Sequence, residues 1–177
     1  TLTKKRATRY IVDMVDEFGP ETVAQVLDTV KDLGFKYATQ SGITISKDDI
    51  IVPQEKHEVI AGYEEKVGVI SEQYERGLIT EQERKEAVID LWTKATDDVA
   101  DVMVTKLDDS NPVYSMVDSG ARGSFKNISQ LAGMRGLMSN PKGEIIDQPI
   151  RSNFMEGLSV LEFFISTHGA RKGLADT

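Results

Sequence analysis

The chain has 177 residues, 40% of them hydrophobic, with no cysteine and a formal net charge of −8. No apolar run approaches the length of a membrane span, the basic start Thr1-Leu2-Thr3-Lys4-Lys5-Arg6 lacks the apolar segment of a signal peptide, and the missing cysteines exclude disulfides and thiolate metal sites. Residues 111–177 carry seven Lys/Arg and six Asp/Glu while residues 1–110 net −9, so the acidic body repels nucleic-acid phosphates and any nucleotide contact is expected in the C-terminal part.

Residues 4–18 predict a helix with Ile11, Met14, Val15 and Phe18 on one face, ended by Gly19. Pro20, with Glu21 and Thr22, opens a second helix at once. Val23, Val26, Leu27, Val30 and Leu33 give it an apolar stripe, and Gly42 is placed to cap its end. Ile43-Thr44-Ile45-Ser46 alternates apolar with polar and predicts a short strand. Pro53 ends the apolar run Ile50-Ile51-Val52.

Ile60, Tyr63, Val67, Ile70 and Tyr74 then recur at spacings of 3, 4, 3 and 4, the heptad seam that packs two helices along their length. Arg76-Gly77 breaks the pattern, and Thr80 with Glu83 is a capping box that starts a return helix. Val88, Leu91, Ala95, Val99 and Val102 supply the answering seam, with Trp92 as an anchor in the packing. The expectation is an antiparallel helical hairpin over residues 54–107 with its tip at 74–80. Helices of ~20 residues are ~30 Å long, so the tip should project beyond the body.

Residues 108–153 are broken by Gly120, Gly123, Gly133, Gly136 and Gly143. Asn140-Pro141-Lys142-Gly143 reads as a turn joining short strands around Leu137 and Ile145. Asn153 is a candidate N-cap for the last helix, with Glu156 at the capping-box position. Phe154, Leu158, Leu161, Phe164 and Ile165 are expected to bury one face of that helix. The fold class is therefore mainly α: a helical body, a protruding antiparallel coiled-coil hairpin and a few short strands.

Few residues carry chemistry in isolation. Asp97, Asp98 and Asp101 form the densest acidic group, on the return helix, where a solvated face is the simple reading. His57 stands alone at the start of the hairpin. His168, Arg171 and Lys172 share a helix face and are flanked by Gly169 and Gly173. Three donors there suit a phosphate backbone, or form a solvated face. Two glycines in a helix cost about 1 kcal/mol each, which points to bending or to close approach of another molecule. Arg122, between Gly120 and Gly123, sits either in an anion nest of inward-pointing amides or in a plain loop. Met134 and Met138, four apart, fit a helix core face. No phosphate loop of the Gly-x4-Gly-Lys-Ser/Thr type occurs, which disfavours a self-contained nucleotide-binding enzyme.

The closing run Ser166-Thr167-His168-Gly169-Ala170-Arg171-Lys172-Gly173-Leu174-Ala175-Asp176-Thr177 resembles the N-terminal half of the bridge helix in the largest catalytic (β′) subunit of bacterial RNA polymerase. Asn111-Pro112-Val113-Tyr114-Ser115-Met116-Val117-Asp118-Ser119-Gly120-Ala121-Arg122-Gly123-Ser124 and Gln130-Leu131-Ala132-Gly133-Met134-Arg135-Gly136-Leu137-Met138 resemble its F-loop region. Pro149-Ile150-Arg151-Ser152-Asn153-Phe154-Met155-Glu156-Gly157 leads into the helix in the same order. The chain is thus expected to be a piece of a larger protein, ending inside a functional helix.

The resemblance implies a pore and funnel segment over residues 1–53, a secondary-channel rim hairpin over 54–107, the F-loop region over 108–153 and the start of the bridge helix over 154–177. It implies that His168, Arg171 and Lys172 lie beside the RNA–DNA hybrid. Arg122, Ser124, Gln130, Met134, Arg135 and Met138 would face nucleotide entry or inhibitors. Tyr74, Gly77, Leu78 and Asp90 at the rim would dock transcript-cleavage and other channel factors. The family's Asp-x-Asp-x-Asp magnesium loop is absent, so no catalytic residue, metal or cofactor is expected here, and Mg2+ and Zn2+ would belong to the rest of the subunit. Implied partners are the β and other core subunits, template DNA, the RNA hybrid and nucleoside triphosphates, with no membrane, in the cytoplasm. Apart from that assembly, apolar surface around residues 154–165 would be exposed. The alternative is a free-standing acidic helical module that binds a partner through its hairpin.

Overall fold

A computed structural model describes residues 4–177, apart from the side chains of Lys4, Ala170, Lys172 and Asp176. It is mainly helical: α1 (Lys4–Phe18), α2 (Pro20–Ser41), α3 (Lys56–Glu75), α4 (Glu81–Lys106), α5 (Pro112–Asp118), α6 (Phe125–Ala132) and α7 (Val160–Asp176), with a 3-10 turn at Lys47–Asp49. Two compact units divide it, one from Thr1–Asp49 and Asp109–Gly123, the other from Ile50–Asp108 and Ser124–Thr177.

In the first unit, α1 ends and α2 begins at the Gly19-Pro20 step, as its residues dictate. Gly42 closes α2 in the left-handed conformation, its N–H donating to Thr39 O at 3.3 Å. The stripe on α2 is not covered as expected: Val23 is buried, while Val26, Leu27, Val30 and Leu33 stay exposed. The strand expected at 43–46 does not form. Polar groups there are used locally instead, with Ser46 N–H donating to Asp49 Oδ2 at 2.6 Å and Asp48 N–H to Ser46 Oγ at 3.1 Å. Asn111 caps α5 by accepting from the Val113 and Tyr114 amides, and its own amide donates to Asp49 O at 2.8 Å.

The second unit is built on α3 and α4. Contacts run in opposite directions along the two helices: Glu55 meets Lys106 at 2.6 Å, Tyr63 Oη donates to Asp98 at 2.5 Å, and Tyr74 lies 5.6 Å from the Arg84 guanidinium. The helices are therefore antiparallel neighbours. Ile60, Val88, Trp92, Ala95 and Val99 form a buried core with Met134, and Val59, Tyr63, Val67, Ile70 and Leu137 pack against it. On α4 the seam is displaced by one residue at two points. Trp92 and Met103 are buried where Leu91 and Val102 were expected, because the bulkier neighbour takes the inward position. Burying an indole removes more apolar surface than burying Leu.

The expected strands around Leu137 and Ile145 reduce to isolated antiparallel bridges, Gly136 with Ile150 and Ser139 with Ile145. The last helix also starts later than expected. Asn153 and Glu156 do make the reciprocal bonds of a capping box, but these close only a single turn. Gly157, at φ 85°, then breaks the direction of the chain. The true N-cap is Ser159, which accepts from the Glu162 amide while the Glu162 side chain bonds back to the Ser159 amide. Of the residues expected to bury a face of this helix, Ile165 does so, whereas Phe154, Leu161 and Phe164 are exposed.

Candidate functional site

Three groups of residues were singled out by the sequence, and they have different surroundings. On α7, His168 is half-buried and Arg171 exposed. Three residues apart on one helix, they share a face. The Lys172 side chain lies outside the described residues. Gly169 and Gly173 both sit within the helix, and no atom outside their own turns comes within 4 Å of the side-chain positions they leave empty. That open surface leaves room for another molecule to approach the backbone.

Arg122 belongs to the first unit and is exposed. The anion nest considered for it does not form. The amides of Gly120, Ala121 and Arg122 already donate to Val117 O and Met116 O at 3.1, 3.1 and 3.3 Å, closing the end of α5. These three amides are therefore not free to meet an anion there, and the exposed arginine side chain is.

Ser124, Gln130, Met134, Arg135 and Met138 belong to the second unit, where their roles separate. Ser124 caps α6, donating from Oγ to Asn127 Oδ1 at 2.7 Å and accepting from the Asn127 amide. Gln130 O accepts from the Phe154 amide at 3.2 Å. Met134 is fully buried in the core shared with α4. It follows the end of α6, so Met134 and Met138 do not lie on one helix as their spacing suggested. Met138 is half-buried in an extended segment, and its carbonyl accepts from the Ile146 amide at 2.9 Å.

Arg135 has the most constrained electrostatics of the group. Its guanidinium lies 4.8 Å from the Phe154 ring, and its Nε is buried without a hydrogen-bond partner. Burial pulls its pKa below the ordinary value. A cation held this way is poorly solvated and attracts an anion or an acceptor. It lines a cleft of about 460 Å3 together with Thr96, Asp97, Phe125, Lys126 and Ser129.

At the tip of the α3–α4 pair, Leu78 is 70% exposed and Tyr74 41% exposed. Gly77, at φ 70°, donates its N–H to Tyr74 O at 2.9 Å, and the Leu78 N–H donates to Gln73 O at 2.9 Å. The Thr80–Glu83 box forms as expected and starts α4. Asp90 is exposed on α4. The tip thus presents one apolar and one aromatic side chain from a turn fixed by its own hydrogen bonds.

The sequence did not reveal the ion pairs that join α3 to the segment before α7 within the second unit. Lys56 is almost fully buried at the start of α3 and forms an ion pair with Glu156. Arg151 pairs with Glu64, and both pairs line a cleft of about 470 Å3 with His57 and Glu162. A lysine with no apolar periodicity gives no local sign of burial. The Ser159–Glu162 spacing does mark the start of α7, but the equal Asn153–Glu156 spacing six residues earlier drew the sequence reading instead. Asp98 is bonded to Tyr63 rather than standing on a purely solvated face. Among the described residues no three His, Asp or Glu side chains gather to hold a metal ion, and no helix is long and apolar enough to cross a membrane.

Comparison with known proteins gives these features a family. The model for RNA polymerase Rpb1, domain 3, matches residues 1–50, and that for RNA polymerase Rpb1, domain 4, matches residues 79–159. The chain belongs to the RNA polymerase Rpb1 family. Its relatives include the DNA-directed RNA polymerase subunit beta′ of Acidothermus cellulolyticus, 54% identical over 99% of this chain and 14% of that protein. The beta′ subunits of Rubrobacter xylanophilus, at 53% over 99% of this chain, and of a Nocardioides species, at 50% over 98%, are likewise matched over 14% of their own length. The chain therefore spans a small part of the length of the relatives it matches.

Proposed function

We propose that this chain is a channel-lining and active-centre-supporting segment of the largest subunit of a DNA-directed RNA polymerase, which joins ribonucleotides on a DNA template by metal-assisted phosphoryl transfer. The observation that carries this reading is the similarity to beta′ subunits over 99% of the chain, α7 included. Catalytic Mg2+ and structural Zn2+ belong to the rest of the subunit, and the work is done in the cytoplasm. In this reading α3 and α4 form a coiled-coil hairpin at the rim of the secondary channel. The exposed Tyr74, Leu78 and Asp90 offer a docking surface for transcript-cleavage factors. Arg122 and Arg135 guide incoming nucleoside triphosphates. α7 lies against the RNA–DNA hybrid through His168, Arg171 and Lys172, braced by the loop that carries Gln130, Met134, Arg135 and Met138, and Gly169 and Gly173 let it bend during translocation.

Two experiments on a polymerase carrying this segment test the reading. Asp90→Ala should weaken capture of a cleavage factor about tenfold, the loss of a charged hydrogen bond at an interface, without altering nucleotide addition. Unchanged capture would remove the rim assignment. Replacing Gly169 and Gly173 together by Ala, the better helix former, should stiffen α7 and slow elongation or alter pausing. Elongation at the parental rate and with parental pausing would remove the bending role.

A further inference from the structure

The last four carbonyls of an α-helix find no partner within it. At the end of α6 the next carbonyls along are met from outside, by the turn that precedes α7. Gln130 O accepts from the Phe154 amide and Leu131 O from the Met155 amide, each at 3.2 Å. The Asn153 side-chain amide donates to both Ala132 O and Gly133 O, at 3.0 and 3.1 Å. Its Oδ1 accepts from the Glu156 amide at 2.8 Å. Asn153 is fully buried, and both polar atoms of its side chain are hydrogen-bonded.

The nearest replacements do not satisfy this arrangement. Aspartate has no hydrogens to give and would set a negative charge against two carbonyl oxygens. Glutamine is one methylene too long, and alanine leaves two buried carbonyls unpaired. The surrounding bonds tighten the same corner. Arg135 N–H donates to Ser152 O at 3.2 Å, and Glu162, in the first turn of α7, accepts from the Arg151 and Ser152 amides and the Ser152 hydroxyl. Lys56 ties Glu156 to the start of α3.

We propose that Asn153 is a positioning residue: its amide locks the end of α6 to the departure point of α7, and so sets the direction in which α7 presents His168 and Arg171. This rests on the polymerase reading given above. The side chain touches no substrate and acts through α7.

The test uses the complete polymerase carrying this segment, with Asn153→Asp and Asn153→Ala. Hydrogen-exchange mass spectrometry should show exchange around residues 153–163 about tenfold faster, with residues 88–99 unchanged, as expected when buried hydrogen bonds of one corner are lost. The maximal rate of nucleotide addition should fall about tenfold while KM for the nucleoside triphosphate stays within about twofold, the split produced by misorientation rather than weakened binding. An unchanged maximal rate in Asn153→Asp, or an equal change in KM, overturns the inference. If a variant fails to assemble, exchange is read in the free subunit, where acceleration confined to the corner supports the clamp and acceleration spread through α3 and α4 removes it. His168→Ala and Arg171→Ala separate the two ideas. If they leave addition untouched, the polymerase reading falls, whereas if they slow it and Asn153→Asp does not, only the clamp falls.

Discussion

Glu162 stands in the first turn of α7 with opposing influences on its carboxyl group. Burial pushes its pKa up, but hydrogen bonds from the Ser159 and Ser152 amides and from both serine hydroxyls outweigh that and hold it at about 2, below its ordinary 4.5. A depressed carboxyl pKa stabilises the folded state fully above its unfolded value and loses that effect as the pH falls through the folded one. The first turn of α7 should therefore hold from neutral pH down to about 4.5 and loosen progressively towards pH 2. Glu162→Gln should cost ~1 kcal/mol at neutral pH and flatten this acid dependence, as read by amide exchange of the first turn against pH. Gly136 illustrates a different constraint. It sits at φ 81°, and a Cβ there would come 2.9 Å from Thr96 Oγ1, which is itself tied to Trp92 O at 2.8 Å. Gly136→Ala should destabilise by ~1–3 kcal/mol in denaturant titration, and adding Thr96→Ala should recover the steric part but not the dihedral part. That Gly136 interrupts regular structure was legible, but its collision partner was not, because Thr96 is distant in sequence.

The helices divide between those whose signals are local and those that depend on distant chain. The α1–α2 junction and the Thr80–Glu83 box were legible because a helix stop or start is written in four or five adjacent residues. The seam of α4 was legible in period but not in register, since Leu91 and Trp92 are both apolar and only packing against α3 decides which turns inward. Trp92→Ala should cost ~3–5 kcal/mol in equilibrium unfolding, the usual price of emptying a buried aromatic site, and Leu91→Ala distinctly less. Equal losses would contradict the observed register. The beginning of α7 was misplaced because Asn153–Glu156 and Ser159–Glu162 have the same spacing. Gly157 and the added partners of Glu162 select the second. Short strands were over-read, since alternation over four residues does not supply a partner strand.

Apolar periodicity shows which face of a helix avoids water but not what covers it. On α7, Val160, Leu161, Phe163, Phe164 and Leu174 are all exposed, and on α2 so are Val30, Leu33, Phe35 and Tyr37. Large apolar side chains left in water in this number favour contact with other chain. The 177-residue chain by itself should accordingly sediment in a concentration-dependent way, and Leu161→Lys with Phe164→Lys should reduce that dependence in analytical ultracentrifugation. A monomer at every concentration would mean that these side chains find cover within the chain.

The turn between α3 and α4 has one more implication. Gly77 and Leu78 supply the halt of one helix and Thr80 with Glu83 the ignition of the next, so the eleven residues from Gln73 to Glu83 hold the hydrogen bonds that reverse the chain. Such a cassette is portable. Whole heptads could be spliced in behind it on both arms, or the cassette moved onto an unrelated pair of helices, and the reversal would travel with it.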